Sequence, residues 1–186
     1  MQPTNLDLVN AILSNPKLLG IPHKQLDCQA AVEKALSLVG VKVNYRGSNH
    51  MWREMVTDRK TIGSAREDNG GQLLPGLIAF HVKDDGGEGK RGYHDNYGNA
   101  VHVGIILDDK RVFHSGANGT EIRTIAGSTF NYVAECKHIT YIIGTNEVDP
   151  EDPSISAMLA DLEAAISSLE SIRNRLTDYW RVLYND

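Results

Sequence analysis

The spacing of apolar residues divides the chain into a helical beginning, a strand-rich middle and a long helical end. Residues 4–14 and 26–40 place aliphatic side chains at intervals of three and four positions, which predicts two helices. Thr4 and Asp27 stand where helix N-caps are expected, and Gly40 is expected to end the second helix. The second helix is rich in alanine and aliphatic residues on nearly all sides, so we expect it to be buried.

From residue 73 onward the apolar period changes to two, which indicates β-strands separated by turn-rich segments. The predicted strands are LLPGLIAFHV, AVHVGIIL, KRVFHS, TEIRTI and KHITYIIG. Residues 41–72 have no clear period, and we assign no regular element there. Helices followed by strands predict an α+β domain with an antiparallel sheet, which we place over residues 1–148.

The end of the chain follows a heptad pattern. After an acidic linker at residues 149–153, residues 154–186 form one long helical pattern with an apolar residue every seven positions. The repeating residues are Ile155, Leu162, Leu169, Leu176 and Leu183, with Leu159, Ile166 and Trp180 at the alternate position. About four heptads, interrupted only by Arg173, predict a coiled-coil-like helix that links or oligomerises the protein. A helix folded back on its own domain is the alternative.

Composition excludes several classes of function. A formal net charge of -5 argues against a nucleic-acid partner, which normally requires a basic face. No apolar run is long enough for a membrane span. The first residues lack a basic segment and Asp7 interrupts their apolar stretch, so we expect no secretory signal and synthesis in the cytoplasm. The two cysteines, Cys28 and Cys136, are too few for a disulfide scaffold.

Cys28 occupies a position that suits a nucleophile. It directly follows the expected N-cap Asp27, where unpaired backbone N–H groups and the helix dipole favour the reactive thiolate. The alternative is a small buried hydrophobic residue, and this is what we expect of Cys136, which lies in a strand-like segment. A nucleophilic cysteine also needs an imidazole to take its proton and a third group to orient that imidazole.

The segment HVGIILDDKRVFH, residues 102–114, carries a histidine at each end of a predicted hairpin. A three-residue loop at 108–110 pairs Gly104 with His114 and places His102 diagonally opposite His114 on one face, about 7–8 Å apart between backbone positions. A two-residue loop would send His114 to the other face. Gly104 leaves room for the rings. The spacing is therefore compatible with a catalytic base and its orienting partner.

Four short motifs occur in order within residues 20–145: Asp27-Cys28, Pro75-Gly76, His102-Val103-Gly104 and His114-Ser115. Together they resemble the NlpC/p-sixty family of cell-wall cysteine peptidases. The resemblance implies a papain-like fold with the cysteine helix packed on an antiparallel β-sheet. It also implies hydrolysis of an amide bond in the peptidoglycan stem peptide, usually beside D-glutamate. Cys28 would be the nucleophile, His102 the base and His114 the orienting residue.

Residues beside these groups are expected to contact substrate: Asp27, Gln25, His94, Asp95, Tyr97 and Ser115. His94, Asp95 and Tyr97 lie in the long loop KDDGGEGKRGYHDNYGN, which resembles prophage-encoded endolysins. Pro16 stands where the family often has an oxyanion-stabilising tyrosine, and Gln25 is the candidate nearest in sequence to Cys28 for that role. The histidine spacings match no zinc site, so we expect no metal and no cofactor.

Three functions remain. The preferred hypothesis is a peptidoglycan hydrolase, a D-glutamyl endopeptidase of the phage-lysin kind, that acts at the cell wall. The second is an N-acetylmuramoyl-L-alanine amidase or another cysteine acyl transferase on the same fold. The third is a catalytically inactive phage structural or adaptor protein that assembles through its coiled coil. The expected partners are therefore bacterial peptidoglycan and, through the C-terminal helix, either a second copy of the chain or another protein to which the helix attaches.

Overall fold

The computed structural model describes residues 2–83, 93, 95–142 and 164–177. Its helices are α1 (Asn5–Leu13), α2 (Cys28–Leu38), α3 (Ser48–His50) and α4 (Ile62–Glu67), with a 3-10 turn at Pro16–Leu18 and a π turn at Met51–Met55. Its strands are β1 (Val56–Thr61), β2 (Ile78–Lys83), β3 (Asn99–Ile106), β4 (Arg111–Gly116), β5 (Gly119–Thr124) and β6 (Tyr132–Cys136). They form a six-stranded antiparallel sheet in the order β1-β6-β2-β3-β4-β5. The α+β class is confirmed.

Both predicted helix caps are confirmed. Thr4 accepts a hydrogen bond from the Asp7 backbone N–H at 3.1 Å, and the Asp7 carboxylate accepts from the Thr4 N–H at 2.9 Å. Asp27 accepts from the Ala30 N–H at 2.8 Å, so α2 begins at Cys28. Each cap satisfies a backbone donor that would otherwise lack a partner, which stabilises the fold by about 1 kcal/mol. The caps fix where the two helices begin.

The edge strand β1 lies in the region for which the sequence predicts no element. Only Val56 of its six residues is buried, because the strand pairs with β6 on one side only. The pairing shifts between Thr57 and Lys60, where Asp58 adopts a positive φ of 47°. A polar, irregular edge strand has no alternating apolar signal to read.

The position predicted for the last strand is wrong. The strand β6 ends at Cys136, and the predicted segment KHITYIIG begins one residue later. The chain turns there, with the Ile139 N–H donating to the Cys136 carbonyl at 3.1 Å. The Thr140 N–H then donates to the Pro3 carbonyl at 2.9 Å, and the Asn5 N–H to the Thr140 carbonyl at 3.0 Å. Apolar alternation continues past the strand because this segment packs beside the N-terminus.

The sheet buries apolar side chains on both faces. On β3, Val103 and Ile105 point to the face covered by α1 and α2, while Ile106 points to the opposite face. The helix-covered core includes Leu8, Val32, Leu36, Ile78, Phe80 and Phe113. The opposite core includes Leu73, Ala79, Val112, Phe130 and Val133. Each large buried side chain contributes about 1.5–3 kcal/mol, so the sheet is a rigid support for residues on its strands.

The β3–β4 hairpin has the predicted three-residue loop. Gly104 pairs with His114 and Ile106 with Val112, and the Leu107 N–H donates to the Arg111 carbonyl at 2.9 Å. The Asp108 carboxylate caps the loop by accepting from the N–H groups of residues 110 and 111. This register places the two histidines on the same face.

The chain divides into two units, Met1–Ile143 and Gly144–Asp186. In the second unit, residues 164–177 form a helix whose large apolar side chains are exposed. The predicted boundary at 148, the linker at 149–153 and the rest of the heptad segment lie outside the described residues. Among the residues that are described, no helix is both long and apolar enough to cross a membrane.

Candidate active site

The N-terminus of α2 lies where β3 and β4 separate. Their pairing ends at Gly104 and His114. Beyond that point, the Val103 N–H donates to the Cys28 sulfur, and the Ser115 hydroxyl donates to the Leu26 carbonyl at 2.5 Å. The Cys28 thiol therefore lies beside Val103, the residue that follows His102 on β3.

The two histidines form a hydrogen-bonded pair. His102 Nε2 lies 3.0 Å from His114 Nδ1, and the ring planes are perpendicular. Phe130 stacks on His102 with ring centroids 5.2 Å apart and meets His114 edge-on at 5.7 Å. Phe130 therefore restrains both rings. The sequence prediction missed it, because a single phenylalanine between two strands carries no distinguishing pattern.

Two glycines leave the space that the His114 ring occupies. A Cβ at Gly104 would lie 2.8 Å from the Phe113 carbonyl oxygen and 3.1 Å from the His114 Cβ. A Cβ at Gly116 would lie 3.0 Å from the His114 Cε1. Real Cβ atoms do not approach a backbone oxygen as closely as 2.8 Å, so a side chain at Gly104 would displace the hairpin.

The Cys28 thiol is half-buried, and burial raises its pKa above the usual value. The Val103 N–H opposes this rise, the Asp27 carboxylate adds to it, and the Gln29 and Cys28 N–H groups also oppose it. The resting group is therefore a thiol that needs a base. The polar groups that act on the sulfur are the backbone N–H groups of Val103, Gln29 and Cys28.

His102 is suited to be that base. Burial, together with the neighbouring His114, His23 and His81, lowers its pKa to about 4. The ring is therefore neutral near pH 7 and can accept a proton. Burial also lowers the pKa of His114, with Glu121 opposing that effect and Arg123 reinforcing it.

Two more polar residues contact β4 at His114 and Ser115, and the sequence prediction did not include them in the site. His23 Nδ1 lies 3.2 Å from the Ser115 hydroxyl. Glu121 pairs directly with His114 across β4 and β5, and its Oε1 lies 3.5 Å from His114 Nε2. The register between β4 and β5 could have indicated Glu121, because directly opposed residues share a face.

The predicted substrate contacts near α2 have different surroundings. Asp27 is exposed and caps the helix, and Gln25 is exposed on the turn that precedes it. Ser115 is fully buried, and its hydroxyl bonds to Leu26 and His23. It therefore offers no surface to a substrate, and its expected role is corrected to holding the segment before Cys28 against β4.

The predicted contacts in the long loop are partly structural. The Asp95 carboxylate makes two hydrogen bonds to the Arg53 guanidinium, at 2.7 and 2.6 Å. This pairing lowers the pKa of Asp95 and ties the loop to the segment before β1. Tyr97 is exposed, with the Arg59 guanidinium 4.7 Å from its ring centroid. His94 lies outside the described residues.

No protein-family model matches this chain, and no curated protein matches its sequence significantly. Within the described ranges, no group of three or more histidine, cysteine, aspartate or glutamate side chains is placed to hold a metal ion. The geometry around Cys28 and the two histidines is therefore the feature of this chain that points to a function.

Proposed function

We propose that this chain is a cysteine hydrolase of the NlpC/p-sixty type, with a papain-like arrangement of the cysteine helix on the sheet. Its proposed substrate is an amide bond in the peptidoglycan stem peptide, with a D-glutamyl bond the expected target. The observation that carries the proposal is the His102–His114 pair, 3.0 Å apart, beside the opening between β3 and β4 that receives Cys28. A nucleophile, a neutral base and an orienting group are the parts that amide hydrolysis by thiol requires.

The proposed reaction has two stages. The His102 nitrogen that does not contact His114 takes the proton of the Cys28 thiol as the sulfur attacks the carbonyl carbon. The C–N bond then breaks, and the protonated His102 gives that proton to the leaving amine. The acyl group remains on sulfur as a thioester. Water, deprotonated by His102, attacks the thioester, releases the carboxylic acid and restores the thiol.

The start of α2 is the proposed oxyanion site. Asp27 already accepts from the Ala30 N–H, whereas the Cys28 and Gln29 N–H groups face the sulfur. Backbone donors at a helix N-terminus stabilise the negative oxygen that develops during attack on a carbonyl. Gln25, exposed three residues before Cys28, is the candidate for an additional donor.

The test is digestion of isolated peptidoglycan by the purified chain, followed by mass spectrometry of the products. We expect a new amine terminus with the parent and none with Cys28→Ala. Cys136→Ala is the matched control, because burial raises the pKa of Cys136 to about 11 and keeps it unreactive. Retention of full activity by Cys28→Ala would refute the enzymatic proposal. The position of the new terminus separates a stem-peptide endopeptidase from a muramoyl amidase.

We also propose that the C-terminal helix mediates self-association. Its exposed apolar side chains are Ile166, Leu169, Ile172 and Leu176, at 49%, 65%, 42% and 56% exposure. Three of them, Ile166, Leu169 and Leu176, fall on the predicted heptad seam. In a coiled coil, apolar residues at these heptad positions are buried against a second helix. Self-association without any cleavage of peptidoglycan would favour the adaptor hypothesis instead.

A further inference from the structure

The His114 ring has one nitrogen whose environment the proposed reaction does not explain. His114 is only 5% exposed, and its Nε2 makes no hydrogen bond to any residue that the structure describes. The Glu121 carboxylate lies close to it, with Oε1 3.5 Å from Nε2. This separation is too long for a well-formed hydrogen bond, so the carboxylate acts on the ring mainly through its charge.

Proton positions on the two rings are linked. For His102 to take the thiol proton at Nδ1, its own proton must reside on Nε2, which then donates to His114 Nδ1. His114 Nδ1 is then the acceptor, so the His114 proton must reside on Nε2, facing Glu121. The opposite tautomers reverse the shared hydrogen bond and put a proton on His102 Nδ1. In that state His102 cannot act as the base.

We propose that Glu121 is a positioning residue that selects the reactive tautomers of His114 and His102. This inference rests on the proposed hydrolase function of the same site. A carboxylate facing His114 Nε2 favours a proton on that nitrogen, which leaves His114 Nδ1 as a hydrogen-bond acceptor. The hydrogen bond between the rings then requires the His102 proton to be on Nε2. The same negative charge stabilises the pair when His102 becomes positive during the reaction.

The glycine at position 116 leaves the space between Glu121 and the His114 ring unfilled. A Cβ at Gly116 would lie 3.0 Å from the His114 Cε1 and 3.3 Å from the Glu121 Oε1, so glycine leaves space between the two groups. Glu121 lies on β5 directly opposite His114, and rigid strand pairing holds the separation. Arg123, two residues along the same strand, acts on His114 with the opposite sign.

The test compares Glu121→Gln with Arg123→Gln as the matched control. Glu121→Gln keeps the size of the side chain and removes its charge, whereas Arg123→Gln removes the opposing charge from the same face. Nitrogen NMR of labelled histidine is expected to show the His114 proton on Nε2 in the parent and in Arg123→Gln. In Glu121→Gln we expect a mixture of tautomers. Alkylation of Cys28 by iodoacetamide at pH 7 should be roughly tenfold slower in Glu121→Gln than in the parent, and unchanged in Arg123→Gln. A tenfold lower rate corresponds to a rise of about one unit in the effective pKa of the thiol.

Unchanged tautomers and an unchanged alkylation rate in Glu121→Gln would overturn the inference. If that variant does not fold, Glu121→Asp keeps the charge but withdraws it from the ring, and an intermediate tautomer mixture is expected. Neither readout uses peptidoglycan. Failure of the parent to cleave peptidoglycan, together with the expected tautomer change, would therefore refute the proposed function and support the role of Glu121.

Discussion

The substitution Gly104→Ala tests whether the hairpin is shaped around the two histidines. An added Cβ would lie 2.8 Å from the Phe113 carbonyl oxygen, 3.0 Å from the Val112 Cγ2 and 3.1 Å from the His114 Cβ. The first of these atoms is backbone within the β3–β4 pairing, so it cannot turn away as a flexible side chain could. The strands must move apart, and His114 moves with them.

We expect Gly104→Ala to destabilise the protein by about 1–3 kcal/mol, the usual cost of overpacking a core. Its effect on hydrolysis should be larger, because a displacement of about 1 Å at a reacting group can lower the rate about 100-fold. Urea unfolding and the rate of peptidoglycan hydrolysis measure the two effects separately.

Gly63→Ala is the matched control. A Cβ at Gly63, in α4, would meet only the Thr61 Oγ1 at 3.9 Å, an ordinary contact. Alanine also favours a helix over glycine by up to about 1 kcal/mol, so this variant should be as stable as the parent or more stable. If Gly104→Ala had the stability and activity of the parent, glycine at position 104 would not be required to place His114.

The pH dependence of hydrolysis depends on His102, whose pKa is lowered to about 4 by burial and by the neighbouring histidines. The ring stays neutral, and able to accept a proton, down to about that pH. We therefore expect kcat/KM on soluble stem peptides to fall near pH 4 rather than near 6.5. Ser115→Ala removes a buried hydroxyl donor, and we expect about 1–3 kcal/mol lower stability in urea unfolding and slower hydrolysis. The double variant Leu169→Ser with Leu176→Ser should lower the mass seen by sedimentation equilibrium, whereas Ile172→Ser, outside the seam, should not.

Helix caps and the hairpin loop, which depend only on neighbouring residues, were predicted correctly from the sequence. The caps at Thr4 and Asp27 depend on side chains that bond to nearby backbone, so the sequence contains the whole signal. The side of the sheet that His114 occupies depends only on the parity of a three-residue loop. The pairing of His102 with His114 follows from that parity.

The remaining features depend on distant parts of the chain. Nothing local to Phe130 indicates that it lies against the histidines, because the segment before β6 brings it there. Ser115 follows His114 directly, yet it faces the other side of the sheet and bonds to Leu26. The strand β1 also forms only because β6 pairs with it.

In the proposed reaction, the Cys28 sulfur and the His102 imidazole act together on one carbonyl carbon. Rapid acid quenching of a reaction with purified stem peptides, followed by peptide mass mapping, would detect the acyl intermediate that this reaction requires. We predict an acyl thioester on the Cys28-bearing fragment of the parent and none in His102→Ala. Hydrolysis that proceeds with no adduct on Cys28, or an adduct that forms equally well without His102, would contradict the account.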